Sequence, residues 1–223
     1  SDRVINYDNS TEWDKFSNLL WFNNELKIWL DISKVIFSNE QFNEINGKFE
    51  NVFKAIDELE NGAEANIDEN RKVGHYWLRN PKIAPDNDIS KNIEKEIASI
   101  KEFGTSINKG ILNNKSGEKF TDVLWIGIGG SSLGPSLLIE SLQKKGSGLN
   151  FTFIDNIDPF LINEKLEEID KNLSTTLFVV VSKSGGTPEP KVAMDIIRKN
   201  IELKGINWCS QSIAITMPNS HLY

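Results

Sequence analysis

Asp122-Val123-Leu124-Trp125-Ile126-Gly127-Ile128-Gly129-Gly130-Ser131-Ser132-Leu133-Gly134-Pro135 is the stretch that decides the fold. Its first part is a short apolar run without polar alternation, which describes a strand covered on both faces. The glycines that follow end the strand, and an apolar helical pattern from Leu133 to Lys144 takes over. The same strand-then-helix order recurs downstream. Asn150–Asp155, Thr176–Ser182 and Ser212–Thr216 read as further strands, with helical patterns at Phe160–Ile169 and Lys191–Leu203 between them. Buried strands alternating with helices predict βαβ units, and hence a three-layer αβα sandwich around a parallel sheet.

Upstream of about residue 118 the pattern changes. Apolar residues recur at helical spacing and β-branched runs are scarce. Trp13, Phe16, Leu19, Leu20 and Trp21, then Leu26, Ile28, Trp29 and Leu30, suggest one long or two abutting helices, with Ser10 as cap. Gln41–Glu60 carries Phe42, Ile45, Phe49, Val52, Phe53, Ile56 and Leu59 on one side, and Asn61-Gly62 stops it. Ile67–Leu78 reads as a helix ending at Arg79-Asn80-Pro81. Asp88 or Ser90 is expected to cap another, through Ile93, Ile97, Ile100 and Phe103 to about Ile111. The expected organisation is an all-helical region over residues 1–115 and an αβα domain over 116–223.

Composition narrows the function. The 223 residues are 39% hydrophobic and include six Trp and twelve Phe, enough for one or two cores. No apolar run approaches the roughly 18 residues of a membrane span, and Ser1-Asp2-Arg3-Val4-Ile5-Asn6 lacks the order of a signal peptide. The formal charge of −7 repels nucleic acid and anionic membranes. It leaves small phosphorylated ligands open, because a few short-range amides and hydroxyls hold a phosphate. The single cysteine, Cys209, forms no internal disulfide and reads as an incidental thiol; no Cys/His cluster suggests a metal. A reducing, cytoplasmic setting fits.

Ligands of such sheets bind outside the carboxyl ends of the strands, where two unusual loops fall. In the first, Gly127 to Pro135, the glycines permit positive φ and close approach, and Ser131 or Ser132 can cap the next helix, whose N-terminus favours an anion. The other reading is a tight turn without a ligand. In the second, Ser182-Lys183-Ser184-Gly185-Gly186-Thr187-Pro188-Glu189, three hydroxyls and an ammonium gather within six residues. Thr187 suits an N-cap and Pro188 a first helical residue. Ser182, Ser184 and Thr187 can donate to a phosphate, and the amides can form a nest. For Lys183 the sequence leaves a charged contact and plain solvation both open. A dinucleotide site is the rival: Gly127-x-Gly129-x-x-Ser132 with Asp155 imitates its fingerprint, but the third glycine is missing and the second loop has no role in it. Asp155 reads as ordering the turn up to Asp158, which caps a helix that Pro159 begins.

Ser182-Lys183-Ser184-Gly185-Gly186-Thr187 resembles the Ser-x-Ser-Gly-x-Thr signature of sugar isomerase (SIS) domains. Ile128 to Pro135 looks like the first phosphate loop of the glucose-6-phosphate isomerase (phosphoglucose isomerase) family. Asn66-Ile67-Asp68-Glu69-Asn70-Arg71 followed by His75-Tyr76-Trp77-Leu78-Arg79 is similar to the family's amino-terminal Asn-x-Thr-Glu-x-Arg…His-x-x-Leu-Arg segment. The resemblance spans roughly residues 66–190 and implies a flavodoxin-like SIS fold, with residues 116–223 as the first of two such domains. It implies that Ser182, Lys183, Ser184 and Thr187 hold the sugar phosphate and that Gly130 and Ser131 line the pocket nearer the sugar. It further implies interconversion of glucose 6-phosphate and fructose 6-phosphate through a cis-enediol, without metal or organic cofactor, in a homodimer.

The family's catalytic glutamate, arginine, histidine and lysine lie further along its chain, so the expectation is an amino-terminal fragment without a catalytic residue of its own. Glu189 reads as a complement to a helix N-terminus, His75 as a packed, hydrogen-bonded residue, and His221 as a loop residue. Asp68 and Pro190 stand where the family usually has threonine. The competing functional class is a non-catalytic SIS module that senses a phosphosugar for regulation. Residues 1–115 carry neither a helix-turn-helix signature nor a basic face, which favours the enzyme.

Overall fold

The computed structural model describes residues 10–144, 146 and 148–222. The opening hexapeptide, read above for a signal sequence, lies outside them. The chain divides into two compact units between Glu96 and Ile97, not near residue 115.

The first unit departs from the all-helical expectation. Helix α1 covers only Glu12–Leu19, and its cap is Thr11, not Ser10: Thr11 and Asp14 form a reciprocal capping box. Strands β1 (Leu20–Asn23) and β2 (Ile28–Asp31) then form an antiparallel hairpin with Phe22 opposite Trp29. The two rings stack at 4.2 Å between centroids. Aromatic and β-branched side chains favour this cross-strand pairing. Asn23 turns the chain by accepting from the Leu26 amide, and Lys27 adopts φ 55°.

Helix α2 (Asn39–Glu60) forms with Ser38 and Gln41 as its capping box, and Gly62 at φ 95° follows its end. Its apolar side stays largely exposed at Ile45, Phe49, Val52 and Phe53. The helix expected over Ile67–Leu78 is reduced to α3 (His75–Arg79). Asn66 pairs with Arg71 in a tight turn instead, with the Asn66 side chain accepting from the Glu69 amide and Asn70 at φ 49°. Local side-chain bonding by Asn thus outcompetes the helix. Trp77 is buried and donates to the Glu60 carbonyl, whereas His75 is exposed rather than packed. Helix α4 runs Asn87–Lys109; Asp86, not Asp88 or Ser90, caps it by accepting from the Ile89 amide at 2.8 Å.

The second unit follows the sequence reading closely. Strands β3 (Asp122–Ile126), β4 (Asn150–Ile154), β5 (Thr176–Val181) and β6 (Ser212–Ile215) form one parallel sheet in the order β4-β3-β5-β6. Helices α5 (Leu133–Leu142), α6 (Pro159–Ile169) and α7 (Pro188–Leu203) alternate with them. The period of two sorts the strand residues to opposite faces. Leu124, Ile126, Phe178 and Val180 pack with Ile162, Ala193 and Ile197 of α6 and α7. Val123, Leu177, Val179 and Val181 pack with Ile107 of α4 and Phe120. All six residues of β5 are buried, which is why this strand reads as an unbroken apolar run.

Strand order places the site. The chain moves from β3 to β4 on one side, then crosses to β5 on the other. Right-handed crossovers therefore put α5 on the face opposite α6 and α7. The order reverses between β3 and β5, and at such a reversal the two following loops part and leave a crevice.

Candidate functional site

β3 and β5 are neighbours in register, Ile126 beside Val180. The loops leaving them therefore start side by side at the carboxyl end of the sheet. Gly130 and Ser131 sit in the first loop; Ser182, Lys183, Ser184 and Thr187 sit in the second.

The first loop is a single 3-10 turn over Gly129–Ser131, tied by Ser131 N–H to the Ile128 carbonyl and Ser132 N–H to the Gly129 carbonyl, both at 3.1 Å. Two glycines are required. Gly129 takes φ 56°, where a side chain is strained. A Cβ at Gly127 would stand 3.0 Å from the Ser131 carbonyl oxygen and from its Cβ. Ser132 occupies the cap position of α5 but makes no side-chain cap; its hydroxyl, 1% exposed, turns back toward the Gly129 carbonyl at 3.4 Å. Gly129 and Gly130 are exposed, as is the Leu133 side chain, so this loop offers open backbone beside an apolar side chain. Sequence reasoning missed Trp125, whose Nε1 donates to the Ser131 carbonyl at 2.8 Å. The available signal was an indole within an otherwise aliphatic strand, since a half-buried indole N–H seeks an acceptor.

The second loop is braced from within. The hydroxyls of Ser182 and Thr187 lie 3.0 Å apart, the Gly185 amide donates to the Ser182 carbonyl, and the Gly186 amide donates to Ser184 Oγ. Ser182 is 3% exposed, so its hydroxyl serves mainly to hold Thr187. Thr187 stands at the N-cap of α7 with Pro188 as first helical residue, yet its side chain caps nothing. It faces Ser182 instead. Ser184, Gly186 and the Lys183 side chain are exposed.

The start of α7 is poorer in donors than its position suggests. Of the four residues Thr187-Pro188-Glu189-Pro190, two are prolines without an N–H. An anion here draws on loop amides and hydroxyls more than on the helix end. Glu189 adds a carboxylate to the first turn, where it complements the dipole. Beyond β4 the turn is ordered by Asn156, which accepts from the Asp158 amide, and by Asp158, which caps α6; Asp155 is exposed at its start.

A cleft also lies elsewhere, in the first unit. It measures about 550 Å³ and is lined by Glu12, Lys15, Ser33, Lys34, Phe37 and Gln41 among others. Its polar groups are already matched to one another: Lys34 bonds to Glu12 at 2.9 Å and holds that carboxyl below the ordinary Glu range, and Gln41 closes the Ser38 cap. The strand-end loops are the better candidate, because Gly129, Gly130, Ser184 and Gly186 are exposed where α/β sheets take ligands. Among the described residues no group of three or more His, Cys, Asp and Glu is placed to hold a metal, and no helix is long and apolar enough to cross a membrane. Cys209 is exposed.

A parallel sheet whose order reverses between two glycine-and-hydroxyl loops defines a doubly wound α/β domain of the SIS kind. The family model of phosphoglucose isomerase matches residues 31–214, and the chain belongs to that family. It is 60% identical over 211 residues to a glucose-6-phosphate isomerase of Prochlorococcus marinus strain MIT 9312, and 59% identical to that of strain MIT 9301. Each alignment covers 95% of this chain but 40% of the relative, so the chain spans about two fifths of the length of these curated relatives. A crystal structure of a glucose-6-phosphate isomerase from Chlamydia trachomatis D/UW-3/Cx, 25% identical, has a TM-score of 0.75 and covers 98% of this chain and 43% of its own.

Proposed function

We propose that this chain supplies the phosphate-holding part of an aldose–ketose isomerase site. The whole protein would interconvert glucose 6-phosphate and fructose 6-phosphate, in a homodimer and in a reducing, cytoplasmic setting. The observation that carries the reading is the pairing of β3 with β5, from which both family-like loops start side by side at the carboxyl end of the sheet, at the strand-order reversal.

In this reading Ser184, Thr187 and the amides around Lys183 take the phosphate oxygens, and Lys183 contributes charge. Ser182 fixes the Thr187 hydroxyl by their 3.0 Å contact. The exposed backbone at Gly130 and the Ser131 hydroxyl line the pocket toward the sugar. Within the second unit, which also takes in the end of α4, residues 116–223 form the sugar-phosphate-binding domain. The reaction moves a proton from C2 of the aldose to C1 of the ketose through a cis-enediol, and needs a general base at those carbons.

Glu189 sits in the first turn of α7, where it complements the helix dipole, and His75 and His221 are exposed; we assign none of the three the role of that base. The 223-residue chain is therefore expected to bind hexose phosphate and not to turn it over. Titration of the ¹⁵N-labelled chain with fructose 6-phosphate tests this. Shifts confined to amides near Gly130, Ser131 and Ser182–Thr187 support the reading, and their absence at millimolar ligand overturns it. Isomerase activity of the purified chain would refute the claim that catalysis requires residues it lacks.

A further inference from the structure

Beyond β6 the sequence runs Thr216-Met217-Pro218-Asn219-Ser220-His221. Pro218 fixes its own φ, Asn219 adopts φ 63°, and the Ser220 amide donates to the Met217 carbonyl at 3.2 Å. Proline followed by a left-handed asparagine gives the arrangement of a type II turn. This turn folds back onto the second loop. The Met217 amide donates to the Lys183 carbonyl at 3.1 Å, and Thr216 Oγ1 reaches the same oxygen at 3.5 Å. The hydroxyls of Thr216 and Ser220 are 2.7 Å apart, and Ser220 Oγ also accepts from the Leu222 amide at 3.2 Å.

The packing is tightest at Gly185. A Cβ there would lie 2.7 Å from Ser220 Oγ, 2.8 Å from Ser220 Cβ and 3.0 Å from the His221 nitrogen. Gly185 is buried and holds φ 67°. The loop is thus clasped between its own internal bonds and the turn after β6.

We propose that Thr216 and Ser220 are positioning residues for the Ser182–Thr187 loop, fixing its backbone in the anion-receiving form before ligand arrives. The proposal rests on the phosphosugar reading given above. Both hydroxyls are engaged within the turn, so they act through Lys183 and Gly185 and touch no ligand. A loop ordered in advance spares the ligand the entropic cost of ordering it, and that saving appears in affinity.

The test uses the ¹⁵N-labelled 223-residue chain with Thr216→Val, which removes the hydroxyl at nearly constant shape, and Thr216→Ser, which retains it. Amide exchange at Gly185 and Gly186 is measured alongside titration with fructose 6-phosphate. Thr216→Val is expected to speed exchange at both glycines and weaken binding roughly three- to tenfold. Amides of Phe178 and Val180 in β5 should be unchanged, and Thr216→Ser should match the parent. A parent chain that binds no fructose 6-phosphate sinks the phosphosugar reading and this proposal with it. A parent that binds, with Thr216→Val binding equally well or Thr216→Ser as defective as Thr216→Val, sinks the proposal alone.

Discussion

The indole Nε1 of Trp125 donates to the main-chain carbonyl of Ser131 at 2.8 Å, so a strand side chain braces the turn into which its own strand runs. The ring also lies against Phe153, 6.1 Å between centroids. Trp125→Phe keeps an aromatic ring and removes the donor. The expected loss is about 1 kcal/mol of unfolding free energy, the net worth of an ordinary hydrogen bond, with the Gly129–Ser132 amides shifting most. Denaturant unfolding and an amide spectrum check both. Equal stability with an unmoved turn would mean that the carbonyl is equally well satisfied without the indole.

Gly185 and Gly186 are adjacent and make opposite predictions. Gly185 needs positive φ and has no room for a Cβ, whereas the nearest atom to a Cβ at Gly186 is Ser184 Oγ at 3.9 Å. Gly185→Ala should cost on the order of 1–3 kcal/mol of stability and abolish measurable phosphosugar binding by displacing the loop. Gly186→Ala should leave stability within experimental error. Thermal unfolding of the pair, side by side with ligand titration, decides the matter; equal effects would show that the loop accommodates a methyl at both positions.

The second unit was legible because its two central strands, β3 and β5, are largely buried on both faces. Val123–Ile126 and Thr176–Val181 are then apolar runs bounded by glycines and hydroxyls, which no amphipathic helix imitates. Both loops were legible for the same reason: unusual residues cluster where a strand must stop. The hairpin Leu20–Asp31 was not, since Leu20, Trp21, Ile28 and Trp29 fit helical spacing as well as alternation, and the choice falls to Asn23 and Lys27 turning the chain. The Asn66–Arg71 turn was missed for a kindred reason, an Asn side chain bonding locally where periodicity suggested a helix. Within the site, the partners of each hydroxyl were hidden. Thr187 in a capping position reads as a cap, and only the fold brings Ser182 to it.

Asp14 gives a pH-dependent signature in the first unit. The Thr11 hydroxyl, and after it the Thr11 amide, donate to its carboxylate and hold it below the ordinary Asp range. A carboxyl with a lowered folded pKa contributes stability above its unfolded value, near 4, and loses it as pH falls through the lower folded value. The start of α1 should therefore fray only in that acidic window. Following the Asp14 carboxyl carbon by NMR, the titration midpoint should rise toward the ordinary value in Thr11→Ala. A midpoint indifferent to that change would show that the Thr11 hydroxyl does not hold the charge.

Pro190 offers a gain-of-function test of how the anion is held. It is buried at the third position of α7, and together with Pro188 it strips the helix start of two donors. Pro190→Thr restores one N–H to the first turn. If the phosphate lies over this helix end, the added donor and the unmasked dipole should tighten fructose 6-phosphate binding by roughly two- to tenfold. Stability should fall slightly, because a proline that suits its φ also restricts the unfolded chain. The two effects have opposite signs, so tighter binding in a less stable variant cannot be ascribed to a firmer fold. Calorimetric titration of parent and variant reads the affinity directly. Unchanged affinity would place the phosphate over the Ser184–Gly186 backbone alone, with the helix end serving only to set the course of α7.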